Sequence, residues 1–310
     1  MLELDYVCDL ILSTPTQDNR AAHLAAASGL VHVGDYLYIV GDDENHLAIF
    51  KNNANEAGRL VRLLEGELPL EYEERKAAKG DFEVLLALPP FGNYPYGALL
   101  ALGSGSKKNR RQALLLPLNA QNMIDNNPII IDLKHLYKAL KQHFEDLNIE
   151  GAFIQNNAFY LLQRGNKSAD SQNALIQLDL DQVLDSISQY FSITADAIQT
   201  ITPHTIGMIK EVPLCFTDAA SLPNGYWVFS AAAEATDNAY ADGDYLGGAI
   251  GVVNAQGDII QLHLIDPHYK VEGVSAQLEN NIVKLLLVTD ADNAALPAKL
   301  LTAQLVLTFQ

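Results

Sequence analysis

One kind of segment occurs twice in this chain, and it constrains the fold more than any other feature. Ile149-Glu150-Gly151-Ala152-Phe153-Ile154 is followed by Gln155-Asn156-Asn157 and then by Ala158-Phe159-Tyr160-Leu161-Leu162. Val271-Glu272-Gly273-Val274-Ser275-Ala276 is followed by Gln277 to Asn281 and then by Ile282-Val283-Lys284-Leu285-Leu286-Leu287-Val288. Both read as an acid, a glycine, a strand, an asparagine-bearing turn and a second strand. Recurrence of this kind is the signature of a repeat architecture.

The rest of the chain extends the theme. Apolar runs of strand length alternate with Gly, Asn, Asp and Pro, the all-β pattern. They group into modules of four: Leu30–Val33, Tyr36–Val40, Leu47–Phe50 and Arg59–Leu64; Phe82–Leu88, Ala98–Leu102, Ala113–Leu118 and Pro128–Leu133; Gly151–Ile154, Phe159–Gln163, Ala174–Leu178 and Ala197–Ile201; Leu214–Thr217, Tyr226–Ala231, Gly247–Val253 and Ile259–Ile265. Gly34-Asp35 marks a tight hairpin in the first module. The fifth module has only Gly273–Ala276, Ile282–Thr289 and Leu300–Leu307, while the strand-like Leu4–Leu12 has no module of its own. A β-propeller closes by letting one terminus complete the last blade. The expectation is therefore a five-bladed all-β propeller over residues 1–310, one domain, with Leu4–Leu12 closing the ring. Six blades would also suit the length. A β-sandwich is the rival fold, and it leaves the repeat unexplained.

Two segments carry helical spacing: Asp132–Leu147, through Leu133, Leu136, Tyr137, Leu140, Phe144 and Leu147, and Asp179–Phe191, through Val183, Leu184, Ile187 and Phe191. They are expected as short helical insertions packed on blade flanks. Glu71–Lys79 reads as a solvated charged connector, Gly103–Arg111 as a Gly/Ser-rich loop turning basic, and Ala235–Asp244 as an acidic loop.

Acids exceed bases by 38 to 20, a net charge of −18. Such a field repels phosphate backbones, so a nucleic-acid partner is not expected. Cys8 and Cys215 make no disulfide framework and are expected as buried thiols in a reducing compartment. Met1 to Leu12 has no basic leader pattern, which points to the cytoplasm for the chain as given; a trimmed leader would instead make it periplasmic or secreted. No apolar run approaches the ~20 residues of a membrane span, so no membrane partner is expected.

Propeller geometry places the chemistry. Strands alternate in direction, so the start of each innermost strand and the end of the second lie on one face. Glu150 and Glu272 begin innermost strands. Asp42-Asp43-Glu44, Arg164 to Asn166, Glu234, Asp237, and Asp290 with Asp292 follow second strands. Most should converge on one mouth of the central channel, with Asp81 or Glu83 and Ser28 joining them. Clustered carboxylates suit Ca²⁺, which accepts ~6–8 oxygen ligands in flexible geometry. Glu150, Glu272 and Asp290 lead as ligands, followed by Asp43 and Asn166. The plainer reading is that the acids pair with bases or water, and that each glycine lets its strand enter a crowded rim. Gly103-Ser104-Gly105-Ser106 with Lys107 could cradle an anion, and His46, after Glu44, could serve as a general base. No Gly-x-Ser-x-Gly elbow and no His-Glu-x-x-His motif occurs, which disfavours serine-hydrolase and zincin chemistry.

Ile149-Glu150-Gly151 followed by Tyr160-Leu161-Leu162-Gln163-Arg164-Gly165-Asn166 resembles the phytase-like and esterase-like propeller families, where an acid-Gly inner strand precedes a second strand ending near an Arg. Glu272-Gly273 is similar. Regucalcin and gluconolactonase propellers resemble it more distantly; the likeness implies a divalent ion held by channel Glu and Asn residues. The fourth module departs from this pattern, its inner strand starting at Pro213-Leu214-Cys215 without an acid. Two functions are expected on these grounds. One is a Ca²⁺-dependent hydrolase of small anionic esters, lactones or phosphoesters, with Arg164 and Lys107 neutralising the anion and His46 or a free carboxylate moving protons. The other is a non-catalytic propeller that binds a protein or small-molecule partner.

Overall fold

The asparagine turns fix the hairpins of the repeat. Asn156 and Asn157 have φ of 48° and 61°, and Asn280 and Asn281 have 50° and 65°. Two consecutive left-handed residues are what a two-residue type I′ turn needs, and asparagine tolerates that region better than most side chains. The flanking pairs are Gln155 with Ala158 and Glu279 with Ile282. Gly34 (φ 58°) with Asp35 turns the chain in two residues between Val33 and Tyr36.

The computed structural model describes residues 1–52, 56–168, 171–237 and 243–307. Its strands form five four-stranded antiparallel sheets, the blades of a five-bladed β-propeller. From the axis outward, blade 1 is Gly29–Val33, Tyr36–Val40, His46–Lys51 and Arg59–Arg62. Blade 2 is Phe82–Leu88, Ala98–Gly103, Gln112–Pro117 and Ile129–Asp132, and blade 3 is Ile149–Gln155, Ala158–Gln163, Asn173–Asp179 and Ile198–His204. Blade 4 is Cys215–Ser221, Trp227–Glu234, Tyr245–Val253 and Ile259–Leu264. Blade 5 is Val271–Glu279, Ile282–Thr289 and Lys299–Val306, and Asp5–Asp9 pairs antiparallel with that last strand. The innermost strands touch in the ring order 1-2-3-4-5-1. Apolar side chains fill the spaces between blades; Phe153, Phe216, Trp227 and Phe229, for example, pack between blades 3 and 4.

The inner strands share a device that aims side chains at the channel. In blades 2 to 5 the pairing of the first and second strands skips one residue near the strand start: Glu83, Glu150, Thr217 and Glu272. A bulge of this kind leaves one residue unpaired and redirects its side chain. Ser28 stands at the corresponding place in blade 1, its N–H donating to the Val40 carbonyl. The next residue is glycine in blades 1, 3 and 5. A Cβ on Gly151 would lie 2.8 Å from the Asp218 Cα, and one on Gly29 would lie 2.7 Å from the Leu85 nitrogen. Rim crowding thus accounts for the glycines. The two Glu side chains that precede them do not accept backbone N–H bonds from the adjacent blade; in blade 4 Asp218 does, taking the Val274 N–H at 2.9 Å.

Three α-helices decorate the described residues. Leu180–Tyr190 buries Val183, Leu184 and Ile187; Asp179 caps it by accepting from the Gln182 N–H, and Phe191 ends it in the left-handed region. The insertion expected over 132–147 is helical only at Lys134–Leu140, yet Phe144 and Leu147 beyond it join the same core. Tyr72–Ala78, read from sequence as a solvated connector, is a helix capped by Glu71. Its stretch has no apolar stripe; buried Arg75 holds it instead. A small hairpin, Met208–Ile209 with Val212–Pro213, was not foreseen; its turn residues Lys210 and Glu211 both have positive φ. Among the described residues no helix is long and apolar enough to cross a membrane. Of the acidic loop Ala235–Asp244, residues 238–242 lie outside the described residues.

Candidate functional site

The bulged residues and the ends of the second strands meet at one mouth of the channel, around a cavity of about 100 Å³. Glu83, Glu150 and Glu272 come from the bulges, with Ser28 from blade 1. Asp42, Arg164, Glu234 and Asp290 come from the second-strand ends. Eight acids and five bases line the cavity, an excess of three negative charges if all ionise.

Side-chain cations stand between the carboxylates. Arg164 reaches Glu234 at 2.9 Å and Glu150 at 3.3 Å, with Glu272 at 3.9 Å. Lys270 reaches Glu234 at 2.8 Å, Asp292 at 2.9 Å and Glu272 at 3.4 Å. Lys79 bridges Asp42 and Asp81, the latter at 2.9 Å. Arg110 pairs with Asp81 at 2.7 Å, and the Ser104 hydroxyl donates to the same carboxylate. Asn148 donates to Glu150 at 2.5 Å.

Protonation in this cluster is divided unevenly. Burial pushes Glu272 up to about 7, with Lys270 and Arg164 pulling against it and Glu150 and Glu234 adding to it. Burial and the neighbouring Glu150, Asp81 and Asp42 raise Glu83 well above the usual carboxylate range. Asp290 is raised in the same way by burial, with Asp292 adding to it. For Asp81 burial is outweighed by Lys79, Arg110 and Ser104, which hold the carboxylate below its ordinary value. Lys270 and Lys79 stay firmly charged, because surrounding carboxylates overcome the burial that would neutralise them.

A larger cleft of about 510 Å³ adjoins the mouth, where blade 1 meets blade 5, and shares Asp42, Lys76, Lys79, Asp290 and Asp292 with it. Asp43 belongs to this cleft. It faces Arg20 at 3.1 Å and Arg75 at 3.3 Å and does not line the channel mouth, which corrects its placement among the channel ligands. Glu44 turns away to Arg20 and Thr16.

Of the other residues expected at the site, Glu150, Glu272, Asp290, Asn166 and Arg164 do line the mouth. Asn166 is tied into its own loop, donating to Asp146 and accepting from the Ser168 N–H. His46 does not reach the cavity. It begins the third strand of blade 1, buried, and burial with Arg62 and Arg20 nearby lowers it to about 4. The imidazole is neutral and remote from the channel, because the turn after Val40 carries it outward along the blade. Lys107 is likewise not a lining residue. Its loop does not open as an anion nest: Ser104, Ser106 and Arg110 fold inward on Asp81.

Lys79 and Lys270 were not anticipated at the mouth, whereas Arg110, expected on this face with its basic loop, does line it. A signal existed for part of this. Two residues ahead of the bulged Glu stand Asp81, Asn148 and Lys270 in blades 2, 3 and 5, and alternation along a strand sends both positions to one side.

As a metal site, the arrangement offers Asp42, Asp81 and Glu83, whose nearest oxygens lie within 4.8 Å of one another. Lys79 already occupies the position of a cation between two of them. Glu150 and Glu272 are engaged with Arg164, and Glu272 and Asp290 face Lys270.

Fold and site together define a five-bladed propeller with an ion-paired, carboxylate-rich channel mouth. Residues 23–305 match the model of a family described as a family of unknown function (DUF6929), and the chain belongs to that family. Among solved structures it is similar to the catalytic domain of the Coprinopsis cinerea GH62 α-L-arabinofuranosidase, with a TM-score of 0.56, 9% identity, and 98% of this chain and 97% of that one covered. It is also similar to the α-L-arabinofuranosidase PaAbf62A from Podospora anserina, solved with cellotriose, with a TM-score of 0.54, 12% identity and the same coverage. At such identities the likeness is one of fold, and of the family resemblance read from the sequence only the propeller fold is supported. No curated protein matches the chain in sequence.

Proposed function

We propose that the channel mouth hydrolyses a small, uncharged, hydroxyl-bearing substrate, a glycoside or an ester, by carboxyl acid–base chemistry. The observation that carries this reading is the split between neighbours. Burial raises Glu83 well above the ordinary carboxylate range, Lys79 and Arg110 hold Asp81, two residues earlier, below it, and Glu272 is pushed up to about 7. Carboxyl groups whose environments drive them apart are the pattern of paired acid and base roles. Glu83 would give its proton to the leaving oxygen. Glu272 would take one from the attacking water. Arg164, fixed among three glutamates, would donate N–H groups to the developing negative charge. The excess of acids, with Arg164, Lys270 and Lys79 already paired, favours an uncharged substrate over the anionic one expected from sequence. The sugar substrates named for the two arabinofuranosidase relatives of the fold are in keeping with that chemistry.

The test is a panel of 4-nitrophenyl glycosides and short-chain esters assayed from pH 4 to 9. A bell-shaped rate is expected. Glu83→Gln and Glu272→Gln should each lower kcat by roughly 100-fold or more with the circular dichroism spectrum unchanged. Turnover by Glu83→Gln equal to wild type would refute the assignment, and silence across the panel would leave a binding propeller.

A second reading rests on the close approach of Asp42, Asp81 and Glu83. A Ca²⁺ ion bound there would displace the Lys79 ammonium and supply Lewis acidity. Thermal unfolding with EDTA and then with Ca²⁺, Mg²⁺ or Mn²⁺ tests it. An ion at ~100 times its Kd stabilises by about 2.7 kcal/mol, and Asp42→Asn should remove a Ca²⁺-specific gain.

A further inference from the structure

The two cavities differ in a way that bears on what they can hold. A dry cavity of about 150 Å³ accommodates benzene. The mouth, at about 100 Å³, is much the tighter of the two, whereas the adjoining cleft, at about 510 Å³, holds a ring with room for its substituents. They are continuous through Asp42, Lys79 and Asp290.

The cleft is also built differently. Leu70 and Tyr72 line it with more than half of each side chain exposed, 53% and 56%. They are held open rather than left loose. The buried guanidinium of Arg75 donates to the Pro69 carbonyl at 2.9 Å and the Leu70 carbonyl at 3.3 Å while pairing with Asp43. That triple tether fixes the chain just before the helix and prevents Leu70 and Tyr72 from collapsing onto the blade. Lys76 stands 5.5 Å from the Tyr72 ring centroid, which orients the ring further. Small residues, Ala21, Ala294 and Ala295, complete the lining. Four acids and four bases line the cleft, with Asp42 and Asp43 facing Arg20, Arg75 and Lys79, so its lining is balanced in charge. A charged ligand would upset that balance, whereas an uncharged ring does not.

The geometry points to the cleft as the seat of an uncharged ring-bearing group, stacked on Tyr72 against Leu70, with a small polar end reaching into the channel mouth. Only the orientation, polar end inward, rests on the hydrolytic reading above; occupation of the cleft does not.

Binding is therefore read without turnover. Benzyl alcohol is titrated into the full-length ¹⁵N-labelled protein, with benzoate and benzylammonium as charged controls, and amide shifts are followed. Saturable shifts are expected for residues 70–72 and 293–295 with benzyl alcohol, and binding at least about fivefold weaker for both charged analogues. Tyr72→Ala should weaken binding by about fivefold, the scale of one aromatic contact. Tyr72→Phe should retain it. Shifts that do not saturate, equal binding by Tyr72→Ala, or equal binding of the charged analogues overturns the proposal. A silent hydrolase panel with cleft binding intact would remove the reaction and leave the ligand site. Turnover without cleft binding would do the reverse.

Discussion

Glu272→Gln should make this protein more stable in alkaline solution and leave it nearly unchanged in acid. Glu272 is buried beside Glu150 and Glu234, and its protonation midpoint rises from the ordinary 4.5 to about 7 despite Lys270 and Arg164. A group raised in the folded state stabilises the fold below its unfolded midpoint and loses that contribution as pH climbs through the folded one. The gap corresponds to about 3 kcal/mol at about 1.4 kcal/mol per pH unit. Glutamine keeps the shape of the protonated acid and has no proton to lose. Urea unfolding of both proteins should therefore give nearly equal stabilities at pH 4 and a variant more stable by about 3 kcal/mol above pH 8. A difference that does not change with pH refutes the reasoning. So does a variant less stable than wild type at pH 8, which would mean that Lys270 and Arg164 hold Glu272 ionised and that it has no proton to trade near neutrality.

Two further outcomes follow from the rim. Arg164→Met leaves Glu150, Glu234 and Glu272 without their shared cation, and should cost about 3–5 kcal/mol at pH 8 and less at pH 5, where Glu272, raised to about 7, takes up its proton; urea titrations at the two pH values check it. Gly151→Ala places a Cβ 2.8 Å from the Asp218 backbone, and should cost about 1–3 kcal/mol by overpacking two inner strands; a thermal midpoint equal to wild type would show that the rim has room to give.

The blades were legible because each strand declares itself locally. Alternating apolar residues, the Gly34-Asp35 turn and the paired asparagines at 156–157 and 280–281 determine hairpins without reference to the rest of the chain. The helix at Leu180–Tyr190 announced itself by its apolar stripe, whereas Tyr72–Ala78 did not, because a tertiary contact through Arg75 stabilises it. The mouth was legible only by half. Strand direction was enough to bring Glu150, Glu272, Arg164 and Asp290 together. Which acid meets which base depends on how neighbouring blades abut, and no local pattern encodes it. Lys270 therefore went unread beside Glu272. His46 and Lys107 were placed at the mouth by proximity in sequence, yet a turn of two or three residues is enough to swing a side chain off the axis.

The blades themselves supply a control for why the acids are there. Five strand positions are equivalent, and two hold Ser28, which lines the mouth, and Thr217, which does not. Thr217 satisfies its hydroxyl with Ser230 at 2.8 Å and the Val271 carbonyl at 3.1 Å, so it joins blade 4 to blade 5 and requires no counter-charge. Glu83, Glu150 and Glu272 occupy the same place at far greater desolvation cost, and Glu150 and Glu272 depend on cations that must themselves be buried. Replacing a buried ion pair by less polar groups is often neutral or stabilising. Ring closure alone would thus be served as well by hydroxyl residues in all five blades. The concentration of glutamates in blades 2, 3 and 5, with cations threaded between them and a cleft opening beside them, exceeds the needs of the fold, and this excess is what the proposed reaction at the mouth would account for.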